Sequence, residues 1–407
     1  MGRAVITGLG ALTAAGTGRA CLLEGGELAV RPRTLAPCPG FEPIGGVYTA
    51  SLPPLPVETL LPARGTRALS DEGRAGLCAA VLACREAGFP VPTERPRPLA
   101  GEPGVGVALG TTRASLDEYA RLFTEGVALG PELVPPARGP RAGFNTPASE
   151  LSIMLGAAGP HLTVCSGAAS SAEAIATATH LVRQSGRARA MLTGGIDVLS
   201  YTTVLAERML DPAFGTIAEA RPFDRDRAGG LPGEAAVIMV VEDSASLRPG
   251  AACLAEVAGT GTAFTSAETD AGSVDAACRA IGEALARAGV DAGEVDAVVA
   301  SASGSPGRDR TEAQALYTMF GDRPPVCSVN GRVGDCAGAG AAVQVALAVA
   351  ALEAQRLPAT AGLRVADPTL AGIRLTRETT ARPLRLVLTL TVSAGGHAAA
   401  VLLSSLR

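Results

Sequence analysis

The sequence predicts an α/β layered fold on three observations. Short β-branched runs alternate with Ala-rich stretches of helical length. At 407 residues, 47% hydrophobic and 18% charged, the chain can bury a large core. A strand, a glycine or serine turn, a helix and a closing strand pair recur after about residue 250. This suggests two similar halves, 1–250 and 251–407, although no residue-level repeat is visible.

Taken in order, strands are expected at Ala4–Thr7, Val105–Leu109, Ala190–Thr193, Ala236–Glu242, Cys253–Thr260, Ala297–Ala302, Leu384–Val392 and Ala398–Ser404. Helices are expected over 70–87 and at Ser170–Arg183, Ser273–Ala288, Arg310–Phe320 and Ala339–Ala354. The Pro-rich segments 31–65 and 90–104 read as surface loops. LTGGID (192–197) and VSAGGH (392–397) read as Gly-rich turns near strand ends. The longest apolar tract, GAGAAVQVALAVAALEAQ (338–355), is Ala-rich and interrupted by Gln344, so it reads as a core helix and not a membrane span.

Composition excludes several functions. Net charge is −4 with no basic cluster, which gives nucleic acid no electrostatic footing. All 35 cationic residues are Arg, so no lysine base or Schiff base is available. Nine Cys without CxxC pairs argue against a disulfide framework or a zinc site and for a reducing cytoplasm. His161, His180 and His397 are the only histidines and are far apart, so no metal site is expected. MGRAVITGLGALTAAG has strand-then-glycine character and no long apolar core, so no signal peptide is expected.

Chemistry-bearing interest centres on TVCSGAASSAEAIATA (163–178), where a strand-like run enters an Ala-rich helix through a turn of small residues. Many α/β enzymes place a reactive Ser or Cys at such a turn. Several segments together resemble the β-ketoacyl synthases, the condensing enzymes of fatty-acid and polyketide synthesis. They are AVITGLGALTAAGTG, RPFDRDRAGGLPGEAAVIMVVED, VDAVVASASGSPGRDRTEAQALYTMFGD, VCSVNGRVGDCAGAGAAVQVALA and LTVSAGGHAAAVLL. Their order and spacing fit over nearly the whole chain. The resemblance implies a thiolase-like fold, two similar halves forming an αβαβα sandwich, with no cofactor and no metal.

Carried over residue by residue, the family's nucleophile frame places Ala168 at the cysteine, with Ser170, Ser171, Ala174 and Ile175 following. Cys165 falls three residues upstream. The first histidine motif is matched by Ser303, Ser305, Pro306 and Asp309, with Ser301 at the histidine. In the second, Asn330 stands for the lysine and Asp335 for the histidine. Val392 and Ala394 replace the closing phenylalanines. Condensation needs a thiolate and imidazoles that stabilise an enolate. A methyl group cannot attack, and an ionised Asp335 would repel the enolate. One Cys-to-Ala change could be an engineered knockout, whereas losing every catalytic group points to a naturally noncatalytic subunit.

The remaining residues have plainer readings. Cys165 reads as an inert packing residue in an apolar strand, and the thiol of Cys336 should be raised by Asp335. Ser170 and Ser171 are expected to cap the helix, and Ser301 to fill space. Asp335 should pair with an arginine such as Arg332, or line water. His397, Arg221, Asp224 and Glu234 read as structural.

The resemblance implies a chain-length factor, the inactive partner of an active ketosynthase in a type II polyketide synthase, serving an acyl carrier protein without nucleic acid or membrane contact. Gly110–Gly143 would be the interface region. There Leu116, Tyr119 and Leu122, with Ala394 on the closing loop, would shape the acyl tunnel. Aromatic systems commonly carry glutamine at position 168; Ala168 has no amide, which turns the reading towards a polyene or otherwise reduced product. Two rivals stay open: a stand-alone acyltransferase or decarboxylase using Cys165, Cys336 or a serine, and a silent homodimer that binds carrier protein.

Overall fold

In the first half, five strands are built on one sheet. They are β1 (Ala4–Thr13), β2 (Val105–Gly110), β3 (His161–Val164), β4 (Ala190–Asp197) and β5 (Ala235–Asp243). The second half supplies β6 (Ala255–Phe264), β7 (Ala297–Ala300), β8 (Pro325–Ser328), β9 (Leu386–Val392) and β10 (His397–Ser404). The computed structural model describes residues 2–406 except 25–29, 36, 38–40, 62–64, 91–96, 98, 100–101, 103, 185–186, 249, 267–268 and 371. Parts of the two Pro-rich loop segments, and Cys38, lie outside the described residues.

The spatial order is β3-β2-β4-β5-β1 in one half and β8-β7-β9-β10-β6 in the other. In both, the first three strands are parallel and the last two pair antiparallel. The halves therefore share one topology, and β1 meets β6 at Val5↔Glu256 and Ile6↔Ala255. This is the repeat that the residues themselves do not display.

Eight helices of ten residues or more accompany the strands among the described residues: α1 (Asp71–Glu86), α2 (Leu116–Leu129), α3 (Thr146–Leu155), α4 (Ser170–Arg183), α5 (Tyr201–Leu210), α6 (Asp270–Ala288), α7 (Pro306–Phe320) and α8 (Gly340–Ala354). Each forms for local reasons. Ser70 Oγ accepts from Gly73 N at 2.9 Å to cap α1, and Asp71 and Glu72 complement its first turn. α8 is apolar on every face because it lies between two sheets, as expected of a helix with no solvent side. By length and composition Ala337–Ala354 could cross a membrane, but 83% of it is buried in the fold.

Three buried clusters define five layers. α1 and α3 cover one sheet, α4 and α8 fill the space between the sheets, and α6 and α7 cover the other. The arrangement is the thiolase-like αβαβα sandwich. Burial on both faces also explains why β4 and β5 show no polar alternation in sequence.

Some expectations are corrected. LTGGID is not a turn: Thr193–Asp197 run inside β4, and a Cβ on Gly194 would stand 2.0 Å from Val237 O. VSAGGH does turn, closed by Ser393 N donating to His397 O at 2.8 Å. Segment 31–65 holds an antiparallel hairpin, Arg31–Leu35 against Ile44–Thr49. Helices α2, α3 and α5 and the four-residue strand β8 were not legible as elements, and β3 showed only as a strand-like run entering α4.

Candidate functional site

The positions matched to the family's machinery converge at the C-terminal ends of the parallel strands, where open α/β sheets place their sites. Ala168 lies in a turn, Gly167–Ala169, that leads from β3 into α4. The corresponding turn of the second half, Ala337–Ala339, leads into α8 and packs against it. Glycine makes this approach feasible. A Cβ on Gly110 would stand 2.3 Å from Ser171 N, and one on Gly195 would stand 2.7 Å from Ala339 Cα.

Ser301 follows β7 and is a connector, not filler. Its N and Oγ both donate to Glu312 Oε1, at 2.8 and 2.9 Å, and its Oγ accepts from Val392 N at 3.2 Å. Asn330 Nδ2 donates to Ser301 O at 2.7 Å, so the structure brings those two positions into contact. Ser170 closes the turn, with its Oγ accepting from Ser166 N and donating to Gly167 O, and Ser171 Oγ accepts from Ala342 N to join α4 to α8. Neither serine caps α4 by its side chain.

Asp335 has a different arginine from the one expected. Arg308 Nη1 donates to Asp335 Oδ2 at 3.0 Å, while Arg332 Nη1 donates instead to Leu22 O at 2.9 Å. Asp335 Oδ1 accepts from Ala337 N at 3.0 Å. Burial alone would push this carboxyl up; Arg308, with Arg113 adding, holds it below the ordinary range, so it is ionised. Beside it Arg113 pairs with Glu207. The centre is therefore occupied by charges, with no imidazole among the described residues there: His397 lies against Phe264, ring centroids 4.7 Å apart, and His180 bonds Gln184.

The sequence profile described as "Beta-ketoacyl synthase, N-terminal domain" matches residues 59–246, and "Beta-ketoacyl synthase, C-terminal domain" matches 251–364. "Nodulation protein E" of Rhizobium leguminosarum bv. trifolii is 30% identical over 379 residues, covering 90% of each chain. This chain belongs to the beta-ketoacyl synthase family. Solved family structures agree with that membership over the full length. A beta-ketoacyl synthase from Burkholderia phymatum STM815 superimposes with a TM-score of 0.87 at 26% identity, covering 100% of both chains. The ishigamide ketosynthase/chain length factor does so with a TM-score of 0.85, also at 26% identity and 100% of both.

Within this beta-ketoacyl synthase family member, the two cysteines near the centre are poor nucleophiles. Cys336 is buried, and burial, then Asp335, Asp197 and Glu234, push its thiol well above the ordinary value. Cys165 corrects the expectation of a buried strand residue: it lies just past β3 and is exposed. Even so, the protein packed around its thiol, and the carboxylate of Asp197, push its pKa up. Arg221, Asp224 and Glu234 are structural ties: Asp224 accepts from Asp226, Arg364 and Val365 N, and Glu234 accepts from Leu52 and Leu199 N.

Four residues at the centre had no sequence signal pointing to them: Arg113, Glu207, Arg308 and Glu312. Glu312 is fully buried, and its carboxyl is pushed up to about 8, chiefly by burial. The folded chain thus holds this proton up to about pH 8, whereas the unfolded chain loses it near the ordinary value of about 4.3. The stabilisation is complete below that ordinary value and is lost as pH rises through about 8. Asp309, pushed up to about 6 by burial, carries the same sign. Glu312→Gln keeps an oxygen for both Ser301 donors and cannot ionise. Its expected result is a flatter decline of thermal midpoint between pH 5 and 8 and a gain of roughly 2 kcal/mol or more at pH 8. A slope equal to that of the native chain in calorimetry would refute it.

Proposed function

We propose that this chain is a noncatalytic chain-length factor. It pairs with an active ketosynthase of a type II polyketide synthase in the cytoplasm, and it limits the length of an acyl chain presented by an acyl carrier protein, for a polyene or otherwise reduced product. One observation carries the reading: the full condensing-enzyme architecture surrounds Ala168, Ser301, Asn330 and Asp335, none of which supplies a thiolate or an imidazole.

A second observation supports a partner. Among the described residues β3 ends the sheet with one edge unpaired, and edge strands of this kind are templates for another chain. The face continues through α3 and Pro136–Ala142 to α2, which buries none of its residues in the chain alone. Phe123, Val127, Leu129, Leu133, Ile153 and Leu162 stand exposed along it. Leu116, Tyr119 and Leu122 lie on α2, and Leu122 lines an apolar cavity of ≈ 570 Å³ with Phe123, Gly126 and Val134. Ala394 lines a separate cavity of ≈ 600 Å³ beside Phe264 and Thr269, so the tunnel role rests on the α2 residues.

The test is intact-protein mass spectrometry after incubation with acyl and malonyl carrier protein, alone and with a co-expressed ketosynthase. Acylation confined to the partner within a co-purifying heterodimer is the expected result. An adduct on this chain alone would overturn the reading in favour of a relocated nucleophile, and a stable homodimer that ignores every ketosynthase would favour a silent binding protein.

A further inference from the structure

The charges at the rebuilt centre come from four separate segments. Arg308 is in the first turn of α7, Asp335 precedes the turn into α8, Arg113 follows β2, and Glu207 is on α5. All four are largely buried: side-chain exposures are 25% and 15% for Arg308 and Asp335, and 11% and 23% for Arg113 and Glu207. Arg308 passes beside Gly230, its Nη2 at ordinary contact distance, 3.9 Å, from where a Gly230 Cβ would stand. The two pairs are close enough to act on each other: Glu207 acts on Arg308, and Arg113 acts on Asp335.

Arg113 also begins the segment that sets α2. Its N, with Thr112 N and Thr111 Oγ1, donates to Asp197, and Ala114 N donates to Thr111 Oγ1 at 3.1 Å. Asp117, in the first turn of α2, accepts from Tyr201 N and Thr202 N of α5. With no fully buried residue, α2 is held by these ties together with the ion pairs of Arg138 to Glu118 and Glu125 and the packing of Ala120 against Leu199, Tyr201 and Val204.

We propose that the former catalytic centre is a positioning device for α2. Asp335 keeps Arg308 engaged, which leaves Glu207 free to hold Arg113 and the loop that starts the helix. Two arginines and two carboxylates form two ion pairs here, with Asp309 also acting on Arg308 and Arg113 also acting on Asp197. Removing Asp335 alone leaves a largely buried Arg308 that must compete with Arg113 for Glu207, because an unpaired buried charge is costly. Removing Arg308 alone sets Asp335 against Glu207 for Arg113. Removing both restores a single satisfied pair. The inference rests on the reading above only in giving α2 its importance; the mechanical link stands without it.

The experiment is hydrogen exchange by mass spectrometry on the full chain, read over peptides covering 111–129, with α6 as the control. Asp335→Asn is expected to speed exchange there by about tenfold, with α6 unchanged. Asp335→Asn/Arg308→Gln is expected to return it to the native rate, as is the conservative Asp335→Glu. Native-like exchange in Asp335→Asn, or failure of the double variant to restore it, overturns the proposal. Should Asp335→Asn not fold, Glu207→Gln releases Arg113 directly, and unchanged exchange over 111–129 in that variant overturns the proposal equally. No partner is needed, so failure of the acylation test and failure of this one are separate results.

Discussion

Phe123→Glu is expected to weaken association with the ketosynthase partner by at least about 100-fold while leaving the chain folded. Phe123 is 62% exposed in the chain alone, so its replacement removes little from the fold itself, and surface changes of this kind typically cost under about 0.5 kcal/mol. In a heterodimer the ring would be covered. Losing its burial costs roughly 2 kcal/mol, and desolvating a carboxylate against apolar neighbours adds several more. Each 1.4 kcal/mol is about tenfold in affinity. Analytical ultracentrifugation of the co-expressed pair reads this directly, with circular dichroism of the variant alone as the folding control. Retained nanomolar pairing would remove α2 from the interface and with it the chain-length role of Leu116, Tyr119 and Leu122.

The second large effect is a failure to rescue. Ala168→Cys is expected to leave condensation and malonyl decarboxylation at or below about 10⁻⁴ of an active ketosynthase. A thiol at the start of α4 gains something from the helix N-terminus, yet burial and the Asp197 carboxyl already push up the thiol of Cys165, three residues before it. Among the described residues no imidazole stands at the centre for the proton and enolate work. Ser301 already donates its hydroxyl to Glu312, and Asn330 donates its amide to Ser301 O. A positioned acid or base contributes about 10²–10⁴, and an oxyanion donor about 10²–10³, so the losses compound. Turnover of malonyl carrier protein by Ala168→Cys, measured as released carbon dioxide, would show that a hidden base survives at the centre.

The fold was largely legible because its signals are local or carried by long motifs. α4 was expected at Ser170–Arg183 and lies there, since Ala-rich helical composition begins right after a turn of small residues. α2 was missed as an element. Its apolar residues Phe123, Val127 and Leu129 face outward in the chain alone, and its sequence looks like a loop leading into prolines. β3 shows in sequence only as the strand-like run before Cys165, because HLTV is too short for its bounds to carry a period. Ala168 at the nucleophile's place in the motif frame is read in line, since a frame fixes which residue occupies which position. The partner of Asp335 is not. Asp335 is 27 residues from Arg308, and Arg332, three residues away, was the nearer guess in sequence while its guanidinium turns to Leu22 O.

By itself the sequence determined the family, the layered α/β architecture and which residues stand at the positions matched to the family's motifs, because composition, motif order and residue identity are properties of the chain read in line. The tertiary structure decided the shared strand order of the two halves, the exposed α2 face beside an unpaired edge strand, and the ionic cluster that fills the old centre. Those depend on which distant segments meet. A carboxylate finds whichever guanidinium the fold delivers to it, and only the packing of α7 against the loops at Gly230 and Asp335 delivers Arg308.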